Sequence, residues 1–212
     1  MWDLRYPEPV TFPGIVVRSV APEVGPQAPP DNYAVRLTAN GLTETKPLVI
    51  ERDPRLTNIS DADLQQQFQL AIQIRDKTSE AHQAVIRIRA IKDQIDQRAS
   101  AVHDGVISSM ATTLKRKLSD VEEDLYQVRN RSPRDTLNYP IKLNNQLAVL
   151  QHLVDMGDAR PTDQDYDVFK ELSGHLAQIV FRLDQILGTD LKLFNDQLLR
   201  RGLPALSTDR AH

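Results

Sequence analysis

Apolar positions recur along this chain in two rhythms, and the rhythm changes near residue 56. Beyond that point they return every three or four residues, the period of an amphipathic helix. Leu64, Phe68, Ala71, Thr78, Ala81, Val85, Ile88 and Ile95 form the first stripe. It opens at Ser60-Asp61-Ala62-Asp63, a capping-box-like start with a carboxylate three residues after the cap. It lasts to about Ser100, roughly 60 Å at 1.5 Å per residue. A second stripe, Ile107, Met110, Leu114, Leu118, Val121, Leu125 and Val128, predicts a helix from about Gly105 to Val128. Asn130 to Thr136, with Pro133, connects it to a third helix starting near Pro140. That helix carries Leu143, Leu147, Leu150 and Val154 and ends at Gly157. The fourth opens at Thr162-Asp163-Gln164-Asp165, carries Tyr166 to Leu198, bends at Gly188 and stops at Gly202 and Pro204.

Residues 1–54 read differently. They hold nine of the 13 prolines, which interrupt both helices and central strands. Short extended segments joined by turns are expected: Trp2–Tyr6, Ile15–Val20, Tyr33–Thr38 and Thr45–Ile50. Asn40-Gly41 supplies a hairpin turn, because both residues tolerate positive φ. The predicted fold class is α+β, mainly α. A small, partial Ig-like antiparallel β module spans 1–56, and an up-down-up-down four-helix bundle spans 57–212, its first and fourth helices the longest. Four strands are few for a sandwich, so the β module is expected to pack on the helices or on sequence outside this chain.

Composition narrows the chemistry. The 212 residues contain no cysteine, which excludes disulfides, zinc–thiolate sites, iron–sulfur clusters and cysteine nucleophiles. A net charge of −3 gives no electrostatic reason to bind nucleic acid. No apolar run reaches the roughly 18–20 residues that span a bilayer. The start has no signal-peptide pattern, so the chain as given is expected in the cytoplasm.

No candidate constellation reads as catalytic or metal-binding, and no cofactor is expected. The five histidines form no His-x-x-x-His or His-Glu-x-x-His pair. His82 and His175 are expected on exposed or boundary positions. Asp163, Asp165 and Asp167 complement a helix start. Asp120, Glu122, Glu123 and Asp124 read as a solvated face, as do Lys115-Arg116-Lys117 and Arg129-Asn130-Arg131. Two polar clusters stand out as possible domain interfaces. Trp2, Asp3, Arg5 and Tyr6 open the chain, with Trp2 and Leu4 on one strand face and Asp3 and Arg5 on the other. Asn138, Tyr139, Asn144 and Asn145 surround the third helix start; their amides can bridge to the β module, to another helix or to a partner.

Trp2-Asp3-Leu4-Arg5-Tyr6-Pro7, followed by Phe12-Pro13-Gly14, resembles the C-terminal region of bacterial BNR-repeat proteins. These are sortilin (Vps10)-like β-propeller proteins often labelled glycosyl hydrolases. The likeness continues through Tyr33-Ala34-Val35-Arg36-Leu37, Asp53-Pro54-Arg55, Asp61-Ala62-Asp63-Leu64 and Gln67-Phe68, and returns at Leu137 to Asn145. The resemblance implies a propeller, then an Ig-like segment, then this helical region, in an exported protein. Pro30-Asp31-Asn32-Tyr33 stands where the family usually has Pro-Gly-x-Tyr. The propeller's Ser-x-Asp-x-Gly-x-x-Trp repeats are absent, since Trp2 is the sole tryptophan. No catalytic residue is therefore carried over.

The leading expectation is a non-catalytic accessory module that supports, caps or dimerises a propeller, its partner being that propeller or another protein, with a homodimer among the possibilities. Two alternatives stand beside it. A glycosidase-related enzyme would need two carboxylates about 5–10 Å apart in a cleft. A free-standing helical interaction module would leave an apolar groove uncovered on the bundle.

Overall fold

The computed structural model describes residues 2–21 and 23–207. Two antiparallel strands precede the helices, so the protein is α+β and mainly α. β1 (Asp31–Ala39) and β2 (Leu42–Ile50) pair with Asp31 opposite Ile50 and Ala39 opposite Leu42. Asn40 (φ 51°) and Gly41 (φ 80°) make the turn, both in the left-handed region that a two-residue hairpin loop demands.

The other two expected strands form no ladder among the described residues. Leu4 sits at φ 63°, which breaks the extended run from Trp2 to Tyr6. Only an isolated bridge between Arg5 and Gln27 remains. In Ile15–Val20 the backbone groups bond side chains instead of a strand, and Ser19 turns at φ 67°.

The helices are α1 (Asp61–Ser100), α2 (Gly105–Leu125), α3 (Leu143–Val154), α4 (Asp163–Ile186) and α5 (Lys192–Leu199). The anticipated capping boxes form at Ser60/Asp63 and Thr162/Asp165. α2 ends before Val128, because Tyr126 turns extended and buries its ring. A short 3-10 turn (Pro133–Leu137) lies in the connection, and α3 starts at Leu143 instead of Pro140. α4 continues into α5 through a π turn, Leu187–Leu191, that contains Gly188.

The direction of the helices departs from simple alternation. Glu122 of α2 meets Arg89 and Lys92 of α1, while Lys115 meets Asp96, so α2 runs antiparallel to α1. Asn144 of α3 meets His82, while the carbonyl of Val154 meets Gln67, so α3 is antiparallel to α1 as well. α2 and α3 therefore follow one another in the same sense along α1. Arg182 of α4 pairs with Asp124 and Asp190 of the following π turn pairs with Lys117, which makes the last leg antiparallel to α2. The middle leg is broken because residues 126–142 advance along α1 instead of folding back. One apolar core joins the legs, with Ile74, Ile88, Leu118, Leu147, Leu176 and Phe194 fully buried.

Residues 2–21 and 23–28 form a strap over the α1–α3 face. Its ends are joined where Tyr6 N–H donates to Pro26 O (2.8 Å) and Ala28 N–H to Leu4 O (2.8 Å). The crossing is so close that a Cβ on Gly25 would lie 1.8 Å from Tyr6 O. Only glycine fits a backbone approach of this kind. Gly25→Ala should push the Trp2–Pro7 segment off and lower stability by about 1–3 kcal/mol, the range for overpacking. Urea unfolding of the variant, with trypsin digestion after Arg5, checks this.

Candidate functional site

The strap is fastened almost entirely by helix side chains that hydrogen-bond its backbone. Arg75 Nη1 donates to Pro7 O (3.1 Å). Val10 N–H donates to Ser79 Oγ (3.1 Å), and Val10 O accepts from His82 Nδ1. Tyr126 accepts from Val16 N–H (3.1 Å) and donates to Gly14 O (3.3 Å). Asn145 accepts from Arg18 N–H through Oδ1 (2.6 Å) and donates to Arg18 O through Nδ2 (3.1 Å). Gln151 Nε2 donates to Val24 O (2.8 Å). These side chains satisfy strap groups that a sheet partner would otherwise serve.

At the tip Phe12 enters the break in the middle leg. It is 5% exposed and meets the rings of His82 (5.3 Å) and Tyr126 (5.1 Å) edge-on. Arg89 lies over both Phe12 (4.6 Å) and Tyr126 (5.4 Å), a cation–π arrangement. Arg89 is held in turn by the buried Glu122, at 2.7 Å, with Lys92 at 3.1 Å on the other oxygen.

Two expectations are corrected here. His82 is not on an exposed or boundary position; it is 1% exposed. Four residues on from Thr78 and three before Val85, it shares the inward phase of α1. Glu122 likewise leaves the solvated face assigned to Asp120, Glu123 and Asp124. It lies four on from Leu118 and three before Leu125, and it is buried.

Because Val10 O only accepts, His82 carries its proton on Nδ1, and Nε2 accepts from Asn144 Nδ2 (3.3 Å). Burial holds the imidazole below its ordinary 6.5, against the upward pull of the Val10 bond. The unfolded chain thus binds the proton first. Stability should be fully present above pH 6.5 and fall as pH drops below it toward the folded value. Denaturant midpoints across this window, compared with those of His82→Gln, test the slope; the variant should lose most of it.

The interface candidates are placed as follows. Trp2 is 46% exposed, donates to Arg5 O (2.8 Å) and contacts the Tyr33 ring at 5.9 Å. Asp3 accepts from the Arg5 backbone N–H (3.1 Å), so no surface Asp3–Arg5 side-chain pair forms. Arg5 Nη1 instead reaches Gly25 O (2.7 Å) and Asp155 (3.1 Å) at the end of α3. Burial pushes the Asp155 carboxyl up even beside this guanidinium. The Tyr6 ring packs tilted against Phe68, centroids 4.6 Å apart. Burial, aided by Tyr6 and Asp31, raises the Tyr33 hydroxyl to about 12. Asn144 and Asn145 are both buried and serve the strap site, one through His82 and one directly. Tyr139 lies under Arg129 (5.7 Å) and Asn138 is exposed; neither joins this cluster.

Among the described residues two surfaces stand out. The hairpin is exposed on both faces except at Tyr33, Leu48 and Ile50. Val35 is 50%, Leu37 67% and Leu42 79% exposed. The second surface is a furrow of about 540 Å³ between α1 and α4, walled by Val10, Ala84, Ile86, Ile91, Val180 and Leu183. Among the described residues no three His, Asp or Glu side chains converge as a metal site. No helix there is long and apolar enough to cross a membrane.

Comparison with known proteins is sparse. No family model and no solved structure matches the chain. A stretch of 109 residues is 30% identical to the heat shock protein 70 homolog lhs1 of Schizosaccharomyces pombe, covering 50% of this chain and 12% of that protein.

Proposed function

We propose that this chain is a non-catalytic accessory and assembly module of a BNR-repeat, sortilin-like propeller protein. The helical legs and the strap form a stiff support, and the hairpin is the contact element. The observation that carries the reading is the hairpin itself. Two strands alone are marginal in water, yet these strands present Val35, Leu37, Leu42 and Val49 to solvent. Such a ribbon gains stability when further strands or another surface cover it. The resemblance that begins at Trp2-Asp3-Leu4-Arg5 supports a propeller as the large partner. Within the strap, Arg5 of that motif is tied to Asp155 and Tyr6 packs on Phe68, which supports a role for the motif in holding the support together.

Light scattering on the purified chain, alone and mixed with a BNR propeller carrying the Ser-x-Asp-x-Gly-x-x-Trp repeats, tests the proposal. A mixed complex is expected. Propeller and chain that elute separately at every ratio would overturn it.

The furrow between α1 and α4 favours a second reading, a free-standing helical interaction module. An amphipathic helix fits a groove of this apolar lining. Under that reading, Ile86→Glu, at a wall residue that is 37% exposed, would abolish partner capture while hairpin substitutions left it intact.

A further inference from the structure

The hairpin has two outer edges, and they are not equivalent. In a two-residue hairpin the residues flanking the turn exchange both hydrogen bonds, and bonded and non-bonded pairs then alternate. Ala39–Leu42, Leu37–Glu44, Val35–Lys46, Tyr33–Leu48 and Asp31–Ile50 are therefore the bonded pairs. Asn32, Ala34, Arg36 and Thr38 point their backbone groups outward from β1. On β2 the outward residues are Thr43, Thr45, Pro47 and Val49. Pro47 has no N–H to offer, which blunts the β2 edge in the way natural edge strands are protected. The β1 edge contains no proline; at its start the Asn32 N–H is taken by the Asp31 carboxylate (2.7 Å), and Ala34, Arg36 and Thr38 follow along the edge.

The β1 edge is also self-complementary. Antiparallel pairing requires outward residues to face outward residues, so a two-fold axis must pass through a residue, not between two. Centring on Arg36 opposes two guanidinium groups, and like charges directly opposite destabilise a sheet. Centring on Ala34 sets Thr38 against Pro30, which lacks an N–H, and Asp31 against Leu37. Centring on Val35, the middle of the strand, spans all of Asp31–Ala39, with the Asp31 carboxylate giving up the Asn32 N–H to the partner strand. It sets Val35 against Val35, Tyr33 against Leu37, Ala34 against Arg36 and Asn32 against Thr38. Along the central strands Tyr33, Val35 and Leu37 then meet on one face, with Asp31 and Ala39 at its ends, while Asn32, Ala34, Arg36 and Thr38 meet on the other. The charged Glu44 and Lys46 stay on the outer strands, already paired at 2.8 Å.

We infer that two copies of this chain join through their β1 edges in a four-stranded antiparallel sheet, with the two-fold axis at Val35. This rests on the reading of the hairpin as a contact element, and it names the partner of one edge as a second copy. The symmetry is closed and isologous, as in most homodimers. Pro47 on each outer strand stops the sheet from growing further.

The chain has no cysteine, so one introduced residue reports the register. In Val35→Cys the two thiols face each other across a non-bonded pair. Cα atoms there lie about 4.5 Å apart, within disulfide range. In Leu37→Cys they lie four residues apart along the strand, about 13 Å, and cannot bridge. Mild oxidation should convert Val35→Cys to a covalent dimer and leave Leu37→Cys monomeric. The unsubstituted chain should scatter light with twice the monomer mass in a concentration series, and Ala34→Pro should return it to the monomer mass. Ala34 makes no bond within the hairpin, so this variant closes the edge without cutting the β1–β2 ladder. An unchanged helical circular dichroism signal confirms that the support is intact. A single-chain mass throughout, equal cross-linking at both cysteines, or a dimer that survives Ala34→Pro would each overturn the inference. If the chain stays single yet still binds the propeller, the inference fails and the accessory reading stands.

Discussion

Phe12→Ala is expected to cost about 3–5 kcal/mol, the range for removing a buried phenylalanine, and to release the strap. The ring fills the gap between the end of α2 and the start of α3, with His82, Tyr126 and Arg89 on its sides. No neighbour is free to collapse into the space. His82 and Tyr126 are each bonded to strap backbone, and Arg89 to Glu122. The loss should therefore be felt along the strap. Trypsin offers a direct measure at Arg18, whose backbone N–H and C=O are both held by Asn145. Cleavage there should rise well above that of the unsubstituted chain, with a lower urea midpoint. Equal protection with a loss under about 1 kcal/mol would mean that the strap is anchored elsewhere.

Glu122→Gln should follow, with a loss of about 2 kcal/mol. Removing one member of a fully buried ion pair typically costs about 3–5 kcal/mol, since the remaining charge is stranded. Here the carboxylate is buried, but the Arg89 and Lys92 side chains keep 37% and 24% of their exposure. Water relieves part of the penalty. The effect reaches the strap too, because Arg89 would lose the partner that holds it over Phe12 and Tyr126. Thermal unfolding of Glu122→Gln, Phe12→Ala and the double variant should show a combined loss smaller than the sum. Full additivity would separate the two sites.

Local features of the fold were legible because they are written in neighbouring residues. Ser60 with Asp63 and Thr162 with Asp165 announce helix starts, and Asn40-Gly41 announces a hairpin. The strap was not legible. Its bonds to the helical region join residues 68 to 150 positions apart, for example Pro7 with Arg75 and Arg5 with Asp155, and such pairs leave no periodic trace. Trp2–Tyr6 alternates like a strand, yet Leu4 turns left-handed and Arg5 is drawn to Asp155. The site's polar residues could have been found. His82 and Glu122 both occupy inward phases of otherwise apolar stripes, and a polar residue in that phase marks a buried network. Residue type suggested a solvated position for each; phase was the better guide.

The π turn at Leu187–Leu191 has a consequence for how this protein tolerates changes in length. From Leu176 to Leu198 the buried residues of the last leg span 22 positions, one more than three heptads. The wider turn absorbs that surplus, so Leu191, Phe194 and Leu198 still face the core. Deleting Gly188 would leave an unbroken α-helix with the same residues inward. A deletion at Gly174 would rotate everything beyond it by about 100° and carry Leu176, Leu183 and Phe194 toward water. A relative one residue shorter in this leg should therefore carry its gap at 187–191.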